Sequence, residues 1–432
     1  MINFLSKYQY ADVREVTETL SSIRIKDDEI RPYEGISFGI SVRVLANGAW
    51  GFASGTDTKE IKELLKKAEK LASISKGDVK LAEVEIVKSQ TEARIQTIPT
   101  EEKIKRLLDA KKEMDAKEIK NRILGLNERI IEKRFCSSEG SEILQKQVYT
   151  YLSIQAIGKR DTVQVAHERQ ANTIGFEKID ANQVAKKANE KIKRILNAKL
   201  PPKGTFTVVL NPEMTGVLSH EAIGHACEAD AVIENESILE GKLGAMIGNE
   251  MVNIIDDPIA NDFGHYAYDD EGVAAKKATL IENGVVRGYL LSRETAHQLG
   301  MQPNGHTRAE TYSDFPIVRM GNTYFQPGTA KKEDVFDVRD GIYLKGMLGG
   351  SVDIFSGGFM FKAEEAFRIK NGEISEQLRD VAIIGNILET LKKVEIVGND
   401  FETSPGVCGK GGQKMPVSDG GPHIRVKDIT IG

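Results

Sequence analysis

Cysteine is nearly absent: Cys136, Cys227 and Cys408 are the only three in 432 residues. So few, so far apart and odd in number, they exclude a disulfide framework and fit a reducing compartment, which points to the cytoplasm. No stretch approaches 18 uncharged apolar residues, so no membrane-spanning helix is expected. The first twenty residues mix Lys, Asp, Arg and Glu with apolar residues and contain no apolar core of a signal peptide. A basic excess is missing too. Lys and Arg total 59 against 64 Asp and Glu, a net charge of −5, so no direct nucleic-acid partner is implied. What remains is 40% hydrophobic and 28% charged, the balance of a globular protein, and 432 residues are too many for one ordinary core.

Two domains are therefore expected, and the chain in order suggests where they divide. Residues 11–22 read as a short amphipathic helix. Residues 36–44 alternate apolar and polar, as a half-buried strand does. Asn47-Gly48 is the pair a type I′ turn requires, and Trp50-Gly51-Phe52 begins the return strand. Asp57-Thr58-Lys59-Glu60 is a capping box for a helix over 58–75, with Ile61, Leu64, Leu65, Ala68, Leu71 and Ala72 on one face. A helix from Thr100 to about 116, strands over 123–135, 143–157 and 163–173, and a helix capped by Asp180 follow. Helix, hairpin, helix thus occurs twice, an internal pseudo-repeat within residues 1–200. Pro201-Pro202-Lys203-Gly204 breaks the chain, and 30 of the 40 glycines lie after Pro201. Strands are expected at 206–210, 251–255, 279–281, 286–291, 335–338, 359–369 and 381–384, with Asn-Gly turns at 283–284 and 371–372. The fold class expected is α+β. An N-terminal domain of helices and antiparallel sheet (1–200) precedes a glycine-rich, mainly β domain (201–432) that carries a histidine-bearing helix.

That helix holds Ser219-His220-Glu221-Ala222-Ile223-Gly224-His225-Ala226-Cys227-Glu228-Ala229-Asp230. Asn211-Pro212-Glu213 opens it, with Asn at the N-cap, Pro at N1 and an acid in the first turn. The motif is H-E-x-x-H with one extra residue. In a regular α-helix, residues four apart project about 40° from each other, but residues five apart diverge by about 140°. Either no metal binds, or a π-bulge between His220 and His225 restores convergence, with Gly224 tolerating the distortion. Such a site would hold zinc, with Glu221 placed to move protons. Cys227 reads as a core thiol. Glu228 and Asp230 are candidates for a third ligand or for partners that orient the imidazoles. Cys408 lies in a glycine-rich stretch, Ser404-Pro405-Gly406-Val407-Cys408-Gly409-Lys410-Gly411-Gly412-Gln413, that reads as a loop able to reach into a site, or as an ordinary turn. His265, His297, His306 and His423 read as hydrogen-bonded or solvated residues. Gly35-Ile36-Ser37-Phe38-Gly39 fits the G-x-S-x-G pattern but sits inside a strand, not at a nucleophile elbow. Asp269, Asp270 and Glu271 could line a cleft and read a peptide, or cap a turn.

Several motifs occur together in one order: His220-Glu221-Ala222-x-Gly224-His225-x-x-Glu228-x-Asp230, Tyr268-Asp269-Asp270-Glu271-Gly272, Asn322-Thr323-Tyr324, Gly350-Ser351-Val352-Asp353 and Cys408-Gly409-Lys410-x-Gly412-Gln413. Together with the opening hairpin, Gly39 to Val44 and Trp50-Gly51-Phe52, this chain resembles the TldD branch of the TldD/PmbA family, metalloproteases once called modulators of DNA gyrase. The resemblance implies a zinc site of His220, His225 and Cys408, with Glu221 as general base. It implies hydrolysis of unfolded or extended peptides inside a dimer cavity, the dimer being a homodimer or a heterodimer with a PmbA-type chain. Two other readings stay open: a non-catalytic regulatory or binding protein, and a partner subunit that supports a separate active chain.

Overall fold

Alternating apolar positions and tight turns build the first half of the protein, whose computed structural model describes residues 5–432. Three consecutive antiparallel strands, β1 (Tyr10–Lys26), β2 (Glu29–Ala46) and β3 (Ala49–Gly55), are followed by helix α1 (Ile61–Ile74). After the short β4 (Lys88–Thr91) and helix α2 (Thr100–Lys112), the arrangement recurs. Strands β5 (Ile119–Ser137), β6 (Glu142–Lys159) and β7 (Val163–Asn172) are consecutive and antiparallel, and helix α3 (Ala181–Ile195) follows. All seven strands form one sheet in the order β3-β2-β1-β5-β6-β4, with β7 also on β6. Ile61, Leu64, Leu65 and Ala68 of α1 pack on Ile40, Val42 and Val44. Leu107, Val184, Ala188 and Ile192 of α2 and α3 cover Leu124, Leu152 and Ile154 at the sheet's other end.

Residues 11–22 are not a helix. They lie in β1, at the middle of the sheet, where Val13 faces Val42 on one side and Cys136 on the other. The reason is chemical. Val13, Val16, Thr17, Thr19, Ile23 and Ile25 are β-branched, which favours the strand. Asp12 and Arg14 are buried charges at positions where strand alternation calls for apolar side chains, and they imitate the polar face of a helix. The recurring unit is thus a three-strand meander with a helix after it. Thr100 is the first residue of α2, its cap being Pro99, and the helix ends at Lys112.

Beyond Pro201 the chain makes two larger sheets. The first has the order β11-β10-β9-β14-β21-β20: β9 is Ile254–Asp256, β10 Ala278–Glu282, β11 Val285–Val286, β14 Asn322–Phe325, β20 Glu402–Lys410 and β21 Gln413–Gly421. A two-strand pair, β12 (Thr307–Arg308) and β13 (Ile317–Val318), stands apart. The second has the order β15-β8-β22-β18-β16-β17: β8 is Gly204–Leu210, β15 Asp340–Asp353, β16 Gly358–Lys370, β17 Glu373–Leu378, β18 Ala382–Asn386 and β22 Ile424–Ile431, with β19 (Val394–Val397) on β22. Because β15 also pairs with β16, this sheet closes on itself. All three Asn-Gly turns adopt positive φ at both residues, as type I′ geometry requires.

Three local expectations fail in this half. Residues 335–338 do not form a strand; Lys332–Phe336 is one helical turn, started by Asp334, which accepts a hydrogen bond from the Lys331 N–H. Of residues 286–291 only Val286 is in a strand; Leu290 turns to the helical segment instead, its N–H donating to the Cys227 carbonyl and its carbonyl accepting from the Ala229 N–H. The segment around Cys408 is not a loop. It is strand β20, paired residue by residue with β21, and only Gly411 and Gly412 make the turn. The overall class is α+β.

Candidate metal centre

The apolar strand β8 ends at Asn211, whose side chain accepts from the Met214 N–H and starts helix α4 (Pro212–Val217) with Pro at N1. Regular winding then stops. Leu218–Gly224 is π-helical, and His225–Cys227 is a tighter 3₁₀ turn. The wider winding absorbs the extra residue of the motif. His220 and His225, five apart, face each other edge-on with ring centroids 5.2 Å apart.

Gly224 serves a different purpose from the one expected. Its backbone is ordinary right-handed helix, φ −53° and ψ −57°. Its missing side chain matters instead, because a β-carbon there would lie 2.0 Å from the Met320 sulfur. Gly216, one turn before His220, meets backbone instead of a side chain. A β-carbon on Gly216 would meet the Gly420 nitrogen of β21 at 2.4 Å. The metal helix therefore rests directly on the backbone of β21, which is hydrogen-bonded to β20 and so to Cys408. Gly216→Ala is expected to push helix from strand, costing about 1–3 kcal/mol of stability and loosening metal retention. Thermal unfolding and metal content would check it; wild-type values for both would show that this contact does not set the site.

Cys408 brings its sulfur to 3.3 Å from His225 Nε2. The donor atoms of His220, His225 and Cys408 all lie within 4.8 Å of one another. Neighbours hold each in place. Buried Arg319 donates to the Cys408 carbonyl at 2.7 Å and to the Gln413 carbonyl at 3.1 Å, so one guanidinium fixes both strands of the hairpin. Glu228 bonds to His225 Nδ1 at 2.9 Å, which turns Nε2 toward Cys408. Lys410, two residues past Cys408 on the same strand face, pairs with Glu228 at 3.2 Å and Asp230 at 2.7 Å. It ties the cysteine strand to the histidine helix. Glu228 and Asp230 thus support the site from behind. Arg169 of β7 pairs with Glu213 in the first turn of α4, which joins the first sheet to the metal helix.

The protonation chemistry suits a cation. Burial alone would raise the Cys408 thiol, but the His220 and His225 imidazoles outweigh it and bring it to about 5. Burial opposes charge on His220, yet the neighbouring Cys408 lifts it to about 9. A thiolate is therefore the favoured form, the state in which cysteine binds a metal ion. His220 Nδ1 is buried and meets no hydrogen-bond partner among the described residues. Two imidazoles and a thiolate form a zinc-type donor set, so the residues fit the ion. Glu221, beside His220 and half-buried, makes no hydrogen bond or ion pair among the described residues, so its carboxylate is free to react.

The other acidic residues singled out from the sequence are elsewhere. Asp269 accepts from the N–H groups of Glu271, Val273 and Thr307. Asp270 pairs with Lys133 at 2.5 Å and Arg14 at 3.4 Å. Glu271 pairs with Arg43 at 3.1 Å and accepts from the Arg293 N–H. All three are buried and none bonds to His220, His225 or Cys408; Asp269 caps the local turn, as one reading had it, while Asp270 and Glu271 clasp the first sheet to the second half. Cys227 is a core thiol among Ala222, Ile223 and Leu290, and burial pushes it up. His265, His306 and His423 bond to Pro258, Asp256 and Asp400 respectively. Sequence reasoning missed Gly216, Arg319 and Arg169 and assigned no part to Lys410. Only Lys410 had a signal, its two-residue spacing from Cys408 along a strand.

A helix-borne histidine pair, a strand-borne cysteine and an unbonded carboxylate next to the first histidine are a donor set that could hold a metal ion, of the kind metal-dependent hydrolases use. Comparison with known proteins narrows the class. Residues 11–72, 93–196 and 203–432 match, in turn, PmbA/TldA metallopeptidase domain 1, central domain and C-terminal domain. A metalloprotease of Methanothermobacter thermautotrophicus is 40% identical over 100% of this chain and 97% of its own length. A zinc metalloprotease TldD homolog of Saccharolobus solfataricus is 33% identical over 98% of this chain and 96% of its own. The solved structure of TldE from Thermococcus kodakarensis shares the fold, with a TM-score of 0.80 at 20% identity, covering 100% of this chain and 98% of that one. The chain belongs to the PmbA/TldD metallopeptidase family and is a metalloprotease. No helix among the described residues is long and apolar enough to cross a membrane.

Proposed function

We propose that this chain is a zinc peptidase of the TldD branch, with the ion held by His220, His225 and Cys408. The observation that carries this reading is the convergence of those three donors within 4.8 Å, beside a free Glu221. When bound, zinc supplies Lewis acidity toward the scissile carbonyl and the attacking water. Glu221 accepts the proton that water loses and delivers it to the departing amine. Glu228 and Lys410 keep His225 turned toward Cys408 throughout.

The substrate is an unfolded or extended peptide, which adds along a sheet edge by main-chain hydrogen bonds. Cleavage takes place in a cavity enclosed by a dimer, either of two such chains or of this chain with a PmbA-type partner. Support for a partner comes from β2, where Tyr33 and Ile36 are 58% and 76% exposed on one stretch of strand with Phe38 beside them. The three free cysteines fit a cytoplasmic location.

Purified protein should contain stoichiometric zinc, cleave a disordered protein, spare a folded one and lose activity to a chelator. Metal analysis and gel-based digestion check this. A metal-free protein that stays inert after zinc is restored, alone and mixed with candidate partner chains, would overturn the reading.

A further inference from the structure

Where the first sheet meets the second half there is a cavity of about 30 Å³, lined by Arg14, Arg129, Lys133 and Arg308 with Tyr149 and Tyr266. A water needs roughly 10–15 Å³ of such space, so two waters or one larger ion would fit. The lining is unusually cationic for a buried place, and two of its guanidiniums are incompletely bonded. Arg14 is 1% exposed; it donates Nη2 to the Asp314 carbonyl at 2.7 Å and faces Asp270 at 3.4 Å, but its Nε–H meets no acceptor. Arg308 is 2% exposed; it donates Nη1 to the Met320 and Pro416 carbonyls at 2.8 and 2.9 Å, and its Nη2 meets none. No carboxylate pairs with Arg308 among the described residues.

The cations are unequally matched. Asp270 serves both Arg14 and Lys133. Arg129 is paired with Glu18. Glu310, also on the lining, accepts from the Lys414 N–H at 2.6 Å. Asp269 spends its oxygens on the N–H groups of Glu271, Val273 and Thr307. Arg308 is thus left without a carboxylate of its own, in a buried place with room for little water. Buried charge without a partner is costly, and buried N–H groups without acceptors are rare in native proteins.

We propose that this cavity is a binding site for a halide-sized monovalent anion, chloride in the cell, held by the unbonded N–H groups of Arg14 and Arg308. The site is separate from the metal donors, none of which lines it. It joins β1, β5 and β6 to Tyr266–Asp270 and to Met415 and Pro416 of β21. Met415 stands opposite Cys408 across the hairpin. The anion would thus neutralise a domain junction that backs the cysteine strand.

Two measurements test it. Crystals soaked in bromide should show an anomalous peak within hydrogen-bond distance of Arg14 Nε and Arg308 Nη2; ordered water alone at that place, with bromide bound elsewhere, overturns the proposal. In thermal unfolding of the intact zinc-loaded protein, exchanging gluconate for chloride at equal ionic strength should raise Tm by about 2 °C. That difference should vanish in Arg308→Gln, and an equal chloride response in the variant also overturns the proposal. If Arg308→Gln does not fold, the bromide experiment decides alone.

Discussion

Glu221→Gln is expected to lower peptide hydrolysis by about 10³-fold while leaving bound zinc, fold and Tm unchanged. The amide keeps the size and the polarity of the carboxylate but cannot accept a proton from water. The structure makes this a clean test. A carboxylate with a structural part would be bonded to a neighbour, and Glu221 has no such bond, whereas Glu228, seven positions on, bonds to His225 and pairs with Lys410. Removing the Glu221 charge therefore breaks no contact, and lost activity would report on chemistry alone. Activity assays, metal analysis and thermal unfolding of one preparation settle it. Wild-type turnover would sink Glu221 as the base. Lost activity together with lost zinc would make it part of the metal site instead.

Cys408→Ala should weaken zinc binding by more than about 100-fold and abolish hydrolysis with it. Removing an outer partner of a metal ligand already costs 10- to 100-fold, and loss of a ligand itself costs more. Cys408 is the one anionic donor of the three, so the variant leaves two imidazoles to hold a divalent ion. It also takes away the 3.3 Å contact between the Cys408 sulfur and His225 Nε2. Competition with a chelator measures the change, and Cys408→Ser should behave alike because a neutral hydroxyl is a poor zinc ligand. Zinc content equal to wild type in Cys408→Ala would remove the cysteine from the site and reopen the choice among nearby carboxylates. The backing hairpin should survive, since Arg319 binds the Cys408 carbonyl and not its sulfur.

How much of this was legible beforehand can be judged residue by residue. The π-helical turn was, because spacing alone forbids His220 and His225 from converging on a regular helix, and Leu218–Gly224 winds as that argument required. The Asn211 cap and the three Asn-Gly turns were also legible, each being a contact within a few residues. The first strand was not. Asp12 and Arg14 point to places that apolar residues should fill, and their partners are Arg43 and Asp270, far along the chain. Nor was the purpose of Asp269, Asp270 and Glu271. From sequence they could have read a substrate as easily as capped a turn; Asp269 does cap one, but the cationic partners of Asp270 and Glu271 lie on three different strands of the first sheet.

Cys408 marks the boundary most clearly. By itself the stretch around it read as a glycine loop or a turn, and only the combination of motifs joined it to the histidines. The structure makes it a strand whose sulfur meets an imidazole 183 residues earlier. The sequence by itself determined what neighbours along the chain can settle: caps, turns, strand periods and the distortion of the metal helix. Tertiary structure alone decided which carboxylates stand behind the histidines and how the thiol reaches them. The physical reason lies in the stacking of α4 on β21 and the pairing of β21 with β20. That stacking depends on a glycine at 216, which the helix itself does not need.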